Sequence, residues 1–177
     1  MPSGDSYVTV NLEPGEYLIA CTIPLPGGAP HAARGMYLRL TVQPWAAANP
    51  RREPPLAEPD MVIRATDYSY TLSTDRLESG WRTIRFHNAG AVEHIAEVAI
   101  LKPGKTAASL LEWATNGFHP ADAPKTTIGG STRLATGRSS DIHIDLQPGR
   151  YVVFCMLHIP GGPPHVRLGM VKEFVVK

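Results

Sequence analysis

The chain has 177 residues, a formal net charge of +1, 43 % apolar residues, 17 prolines, 16 glycines and two cysteines. That apolar content excludes a disordered chain, and no Lys/Arg cluster forms a stripe, which argues against nucleic acid or an anionic membrane as partner. No apolar run reaches the ~18 residues of a membrane span, and Met1 to Ser6 shows neither the charged nor the apolar region of a signal peptide.

Prolines and glycines separate short runs rich in Val, Ile, Thr and Tyr, a texture that predicts an all-β sandwich or barrel. Taken in chain order, residues 12–42 come first, and they recur as residues 146–176 at a constant offset of 134. Pro14, Gly15, Tyr17, Cys21, Pro26, Gly27, Gly28, Pro30, His31, Gly35 and Met36 match Pro148, Gly149, Tyr151, Cys155, Pro160, Gly161, Gly162, Pro164, His165, Gly169 and Met170. That offset is about the length of one sandwich domain. Residues 1–43 therefore read as the last third of a repeat and residues 59–177 as a complete unit. Between them, 44–58 is rich in Pro and Ala without strand alternation, which is the signature of a linker. The first segment predicts two strands and a loop, marginal in water alone, so three alternatives stand: it packs on the second unit, swaps into a partner chain as a homo-oligomer, or is the stub of a longer protein.

In the complete unit, Met61 to Leu72 predicts one or two strands. Trp81 to His87 alternates, with Ile84 and Phe86 on one face and Arg85 and His87 on the other. A turn at Asn88-Ala89-Gly90 leads to a strand predicted over His94 to Leu101, with His94, Ala96, Val98 and Ile100 sharing a face. The one helical pattern is Lys105 to Asn116, with Leu110, Leu111 and Ala114 at helical spacing and Gly117 to stop it. Asp141 to Leu146 alternates again. Beyond the turn at Gln147 to Arg150, Tyr151, Val153 and Cys155 share a face, and Val171 to Val176 closes the sheet.

Cys155 ends its strand pointing inward, and an irregular loop then carries His165 and Met170. A soft thiolate, imidazoles and a weak thioether suit a transition metal that cycles between two oxidation states, copper above all. A further ligand must come from a neighbouring strand and point inward, and His94 meets both conditions. His158, at Cys-x2-His, competes with His165. The x4 spacing from His165 to Met170 and the Pro24 that matches His158 in the first repeat favour His165. Read singly, Cys155 is a buried thiol, Met170 core packing and His94 a core histidine, and only the combination is specific. His87, His119 and His143 read as surface residues and Trp113 as packing.

The run Asn88-Ala89-Gly90 to His94, then Pro148-Gly149-Arg150-Tyr151, Cys155, His165 and Met170, resembles the cupredoxin family of blue, type 1 copper proteins. The Cys-x9-His-x4-Met loop is similar to that of the type 1 site of copper nitrite reductases. The resemblance implies a Greek-key cupredoxin-like sandwich or barrel with one short helix, holding one copper ion on His94, Cys155, His165 and Met170. It also implies single-electron transfer with a transient redox partner, His165 as the exit for electrons, and a periplasmic or secreted location. Phe154 and Met156 flank Cys155 and no His-x-His pair occurs, so a catalytic copper centre is not encoded and an electron carrier is expected in place of an enzyme. Copper storage or delivery, and a metal-free structural module, are the rival readings. Cys21, His31 and Met36 repeat three ligand positions, but no histidine precedes Cys21. They are expected to be an incomplete echo without metal, and a Cys21–Cys155 disulfide is not expected.

Overall fold

Alternation of apolar and polar side chains drives most of the chain into strands, because a period of two puts one face of each strand into the core. The computed structural model describes residues 6–23, 25, 28–44 and 58–177. The strands are β1 (Ser6–Val10), β2 (Gly15–Ala20), β3 (Tyr37–Val42), β4 (Met61–Thr66), β5 (Ser69–Leu72), β6 (Arg76–Leu77), β7 (Gly80–Asn88), β8 (Glu97–Leu101), β9 (Lys125–Gly130), β10 (Ser139–Leu146), β11 (Gly149–Phe154) and β12 (Val171–Val176). One α-helix, α1 (Ala107–Thr115), is described among them. The chain divides into two compact units, Met1–Val10 with Ala57–Lys177, and Asn11–Leu56. Most of the linker expected over 44–58, residues 45–57, lies outside the described residues.

The larger unit is a sandwich and not a closed barrel. One sheet runs β1-β10-β7-β4-β5 and the other β6-β12-β11-β8-β9, with β4–β7 and β6–β12 parallel and every other pair antiparallel. Between the sheets, Ile63, Ile84, Phe86, Ile142 and Ile144 meet Val98, Val153, Tyr151 and Phe174 in one buried cluster. Tyr151 and Phe174 stack with ring centroids 5.3 Å apart. A second cluster forms where Leu110 and Ala114 of α1 cover Ala99, Val152 and Phe154. Strands β8 and β11 are therefore buried on both faces, and Tyr151 to Phe154 is an unbroken apolar run for that reason. The helix starts at Thr106, whose hydroxyl accepts from the Ser109 amide, and it stops at Asn116 before Gly117 in the left-handed region, φ 92°.

Two differences from the sequence reading concern the edges. The strand expected from His94 begins at Glu97, because residue 94 forms only an isolated bridge with Leu134. His94, Ala96 and Val98 are nevertheless all buried, as the alternation predicts. The other difference is at the N-terminus. β1 pairs with β10 of its own chain, so Ser6–Val10 falls with the larger unit and not with the rest of 1–43, and the expected homo-oligomer gains no support from it. In that pairing Val8 lies opposite Ile142, which is also its equivalent at the repeat offset of 134. Tyr7 then faces His143, the equivalent of Thr9, and Thr9 faces Asp141, the equivalent of Tyr7. The two equivalent strands meet about a local two-fold axis.

The smaller unit is described by itself. It is a hairpin of β2 and β3 in the same register as β11 and β12, Ala20 opposite Tyr37 as Phe154 is opposite Val171. Its side chains are far less covered: Leu18 is 62 % exposed where Val152 is fully buried. Burial decides what a substitution costs. Phe174→Ala is expected to destabilise the larger unit by about 3–5 kcal/mol, whereas Leu40→Ala at the equivalent position changes it by less than about 0.5 kcal/mol. Urea unfolding followed by tyrosine and tryptophan fluorescence measures both.

Candidate metal centre

Three backbone features bring the predicted ligands together. The Cys155 amide donates to the Met170 carbonyl at 3.2 Å and the Val166 amide donates to the Cys155 carbonyl at 2.9 Å, so the loop returns on itself directly after the cysteine. The His165 amide donates to the Leu157 carbonyl at 2.7 Å, which closes the Pro- and Gly-rich segment between them. A 3-10 turn, His165–Leu168, then ends at Gly169 with φ 101°, a conformation that favours glycine, and the Met170 amide donates to the His165 carbonyl at 3.1 Å. This is why the spacing of four between His165 and Met170 matters: one turn puts both side chains on the same side.

His94 arrives on the segment between β7 and β8, which crosses from one sheet to the other. Its amide and carbonyl pair with Leu134, at 3.2 and 2.9 Å. The Asn88 side chain is fully buried at the end of β7; its amide group donates to the Val92 and Leu134 carbonyls and its carbonyl accepts from the Gly90 amide. One side chain thus ties the turn before His94 to the strand-like segment beside it. Gly90 is required there, since a Cβ would sit 2.4 Å from an Asp67 carboxylate oxygen and 3.0 Å from His94 Nε2.

The result is a compact, dry group. His94 Nδ1 and His165 Nδ1 are 3.2 Å apart, and Cys155 Sγ is 3.4 Å from His165 Nδ1. The three ligand atoms all lie within 4.8 Å of one another, at a spacing that could hold a metal ion. Met170 is fully buried in the same core cluster as Cys155. His158 is exposed and bridges Pro164, outside the group, while Cys21 and Cys155 are both free thiols.

Burial keeps the two imidazoles in ligating form and the cysteine as a thiol that would lose its proton on binding a metal. Burial pushes both imidazoles below their ordinary pKa, and His94 lowers His165 further, so each ring stays neutral with a lone pair to give. Burial also raises the Cys155 thiol; the amides of Ile95 and Leu157 and the Tyr70 hydroxyl work against that rise, and the Glu97 charge works with it. His94 Nε2 faces the Asp67 carboxylate at 3.4 Å, which favours the proton on Nε2 and leaves Nδ1 free to face inward. Burial acts to raise Asp67, but hydrogen bonds from the Ala91 and Val92 amides and from His94 outweigh it and hold the carboxyl below its usual value.

Asp67, Tyr68 and Tyr70 were not singled out by sequence. They sit on the turn and second strand of the β4–β5 hairpin, far from the loop in the chain. Tyr68 has φ 65° and sets its ring edge-on to His165, centroids 5.0 Å apart. The Tyr70 hydroxyl donates to the Ile95 carbonyl beside the cysteine. Only the sheet order β10-β7-β4-β5 brings that turn to the site. An aromatic residue in a two-residue turn, Asp67-Tyr68, is the faint local signal.

Comparisons with known proteins add little at the level of sequence: no family model and no curated protein sequence matches the chain. Among solved structures it is similar to dithionite-reduced auracyanin from Roseiflexus castenholzii, with 24 % identity over 66 % of this chain and 94 % of that one and a TM-score of 0.42. Auracyanin A, a "blue" copper protein from Chloroflexus aurantiacus, gives 22 % identity, 66 % and 96 % coverage and a TM-score of 0.41. A purple cupredoxin from Nitrosopumilus maritimus gives 20 % identity, 66 % and 97 % coverage and a TM-score of 0.37. Scores this low carry no weight of their own. The larger unit does show the two-sheet sandwich, and the Cys-His-Met loop beside a buried histidine, that the resemblance in its sequence implies.

Two outcomes follow, the first for the metal-free protein and the second for metal binding. Because folding lowers the pKa of His94 and His165 below the ordinary 6.5, the unfolded chain takes up protons first. Stability is therefore present above that value and lost as pH falls through it, while the raised Cys155 pKa removes stability as pH climbs past the thiol's ordinary 9.0. Urea midpoints across pH should decline on both sides, and a His94→Gln/His165→Gln variant should lose the acid limb. Separately, Asp67→Ala should weaken metal binding by roughly 10–100-fold while leaving the fold intact, as competition with a chromophoric chelator would read.

Proposed function

We propose that the larger unit binds one copper ion through His94, Cys155, His165 and Met170 and carries single electrons between partner proteins. The observation that carries this reading is the meeting of two neutral imidazole Nδ1 atoms and one thiol sulfur in a buried site, with Met170 in the same buried cluster as Cys155. In the metal-free chain a proton shared between the two rings accounts for the 3.2 Å approach, and a cation in its place would be met by the same converging lone pairs and the thiol sulfur. Thiolate, imidazole and thioether donors fit copper in both of its common oxidation states, which is the chemistry the ion would supply.

The chain's own residues do the rest. The backbone hydrogen bonds of the 155–170 loop hold Cys155, His165 and Met170 in place, and the Leu134 bridge with the Asn88 side chain holds His94. Ligands fixed in this way move little when the charge between them changes, which keeps the cost of gaining or losing an electron low. Burial of all four favours electron transfer over storage or delivery, because an ion must leave a delivery site readily.

His165 is only 3 % exposed, so it does not itself present a surface to a partner. Tyr68 packs against its ring and is half-buried, and Val92 and Leu168, close in the chain to His94 and His165, are exposed apolar residues. A small, transient partner contact over these residues would bring a donor or acceptor within reach of His165. A periplasmic or secreted setting, by likeness to cupredoxins, belongs to the same proposal; no helix of the described residues is long and apolar enough to cross a membrane.

Adding Cu(II) to the purified chain should produce an intense visible thiolate-to-copper band, absent in Cys155→Ser and preserved in His158→Ala. A chain that takes up no stoichiometric copper overturns the proposal, and a band that survives Cys155→Ser moves the site elsewhere.

A further inference from the structure

The geometry points to a second, open soft-metal site in the smaller unit, formed by Cys21, His31 and Met36 and suited to Cu(I). Counting ligands in the sequence speaks against metal there, but the structure shows the ligand loop already built. The Cys21 amide donates to the Met36 carbonyl at 3.0 Å, the Ala32 amide to the Cys21 carbonyl at 2.9 Å, and the His31 amide to the Ile23 carbonyl at 2.9 Å. The Met36 amide donates to the His31 carbonyl at 3.3 Å after a 3-10 turn that ends at Gly35 with φ 94°. Each of these has its counterpart around Cys155, at the offset of 134. The side chains agree as well: Cys21 Sγ is 3.5 Å from His31 Nδ1, against 3.4 Å for Cys155 and His165.

What differs is the cover. Around Cys155 the fourth direction is closed by His94 and by strands of both sheets, whereas Cys21 and Met36 line one cavity of ≈ 520 Å³, and Met36 is 59 % exposed. No described residue takes the place of His94 in this unit. Cu(I) accepts three ligands, and thiolate, imidazole and thioether are the donors that select it. Cu(II) prefers more ligands in a fixed arrangement, so the open three-donor set favours the reduced ion over the oxidised one. A half-buried thiol and imidazole beside an exposed methionine form a site from which an ion exchanges, in contrast to the fully buried group. Lacking the fourth ligand and its outer partners, it should hold Cu(I) more weakly than the buried site by roughly 10–100-fold.

The inference rests on the proposed reading of Cys155, His165 and Met170 as ligands, but the two can fail separately. Anaerobic titration of the full chain with Cu(I) against a chromophoric chelator should show a tight equivalent and a second, weaker one. Cys21→Ser should remove the weaker and Cys155→Ser the tighter, and alkylation of Cys21 should slow once the weaker site fills. If Cys21→Ser leaves the titration unchanged, or Cys155→Ser abolishes all binding, the second site is overturned while the buried one stands. If Cys155→Ser alone has no effect, the buried site fails and the open one remains. Met36→Leu should weaken only the second equivalent, and an unchanged affinity would overturn Met36 as its ligand.

Discussion

The larger unit is organised around one demand, that two imidazoles and a thiol share a dry pocket without being hydrogen-bonded to water. Hydrogen bonds at 3.2 and 3.4 Å link the three, but they do not by themselves carry the chain to this point. The holding is done by backbone, not by the ligands themselves. Leu134 bridges residue 94, Met170 and Val166 bridge residue 155, and Leu157 bridges residue 165. Asn88 is buried to serve the same end, its amide satisfying carbonyls that the irregular segment before His94 leaves open. Asp67 orients the His94 ring from outside and Tyr68 lies against the His165 ring.

Comparison of the two repeats separates what local chain interactions do from what burial does. Residues 15–42 reproduce the register, the 3-10 turn and the Cys–His approach of residues 149–176 although their side chains lie largely exposed. The ligand loop is therefore specified by near-neighbour hydrogen bonds, by prolines that fix the approach to the histidine, and by a glycine in the left-handed region after it. Burial adds the fourth direction, the dry surroundings and the pKa shifts.

The N-terminal strand shows another use of the repeat. β1 and β10 are equivalent segments, and they pair antiparallel with equivalent residues Val8 and Ile142 at the centre. An edge strand with unpaired amides and carbonyls is a liability that proteins cover; β10 has its outer edge covered by its own repeat. That pairing also brings the Thr9 hydroxyl diagonally to His143, whose ring bonds the Thr9 and Thr83 hydroxyls. His143 thus becomes half-buried, although its phase in the sequence reads as surface.

The sequence by itself determined the all-β class, the alternation that buries Ile84, Phe86, Ile142 and Ile144, the capped helix, and the grouping of Cys155, His165 and Met170. These depend on periods of two or 3.6 and on spacings within one loop, which are local properties of the chain. Its preference for His165 over His158 rested on spacing, and the structure sets His165 beside Cys155 and His158 at the surface. Only the tertiary structure decided that Asp67, Tyr68 and Tyr70 reach the site, because the β4–β5 hairpin arrives there through the parallel pairing of β4 with β7. It alone decided that His165 is covered, that Ser6–Val10 joins the larger unit, and that the echo at Cys21 stands open. Pairings between strands distant in sequence, and the cover they provide, leave no periodic mark on the segments they bring together.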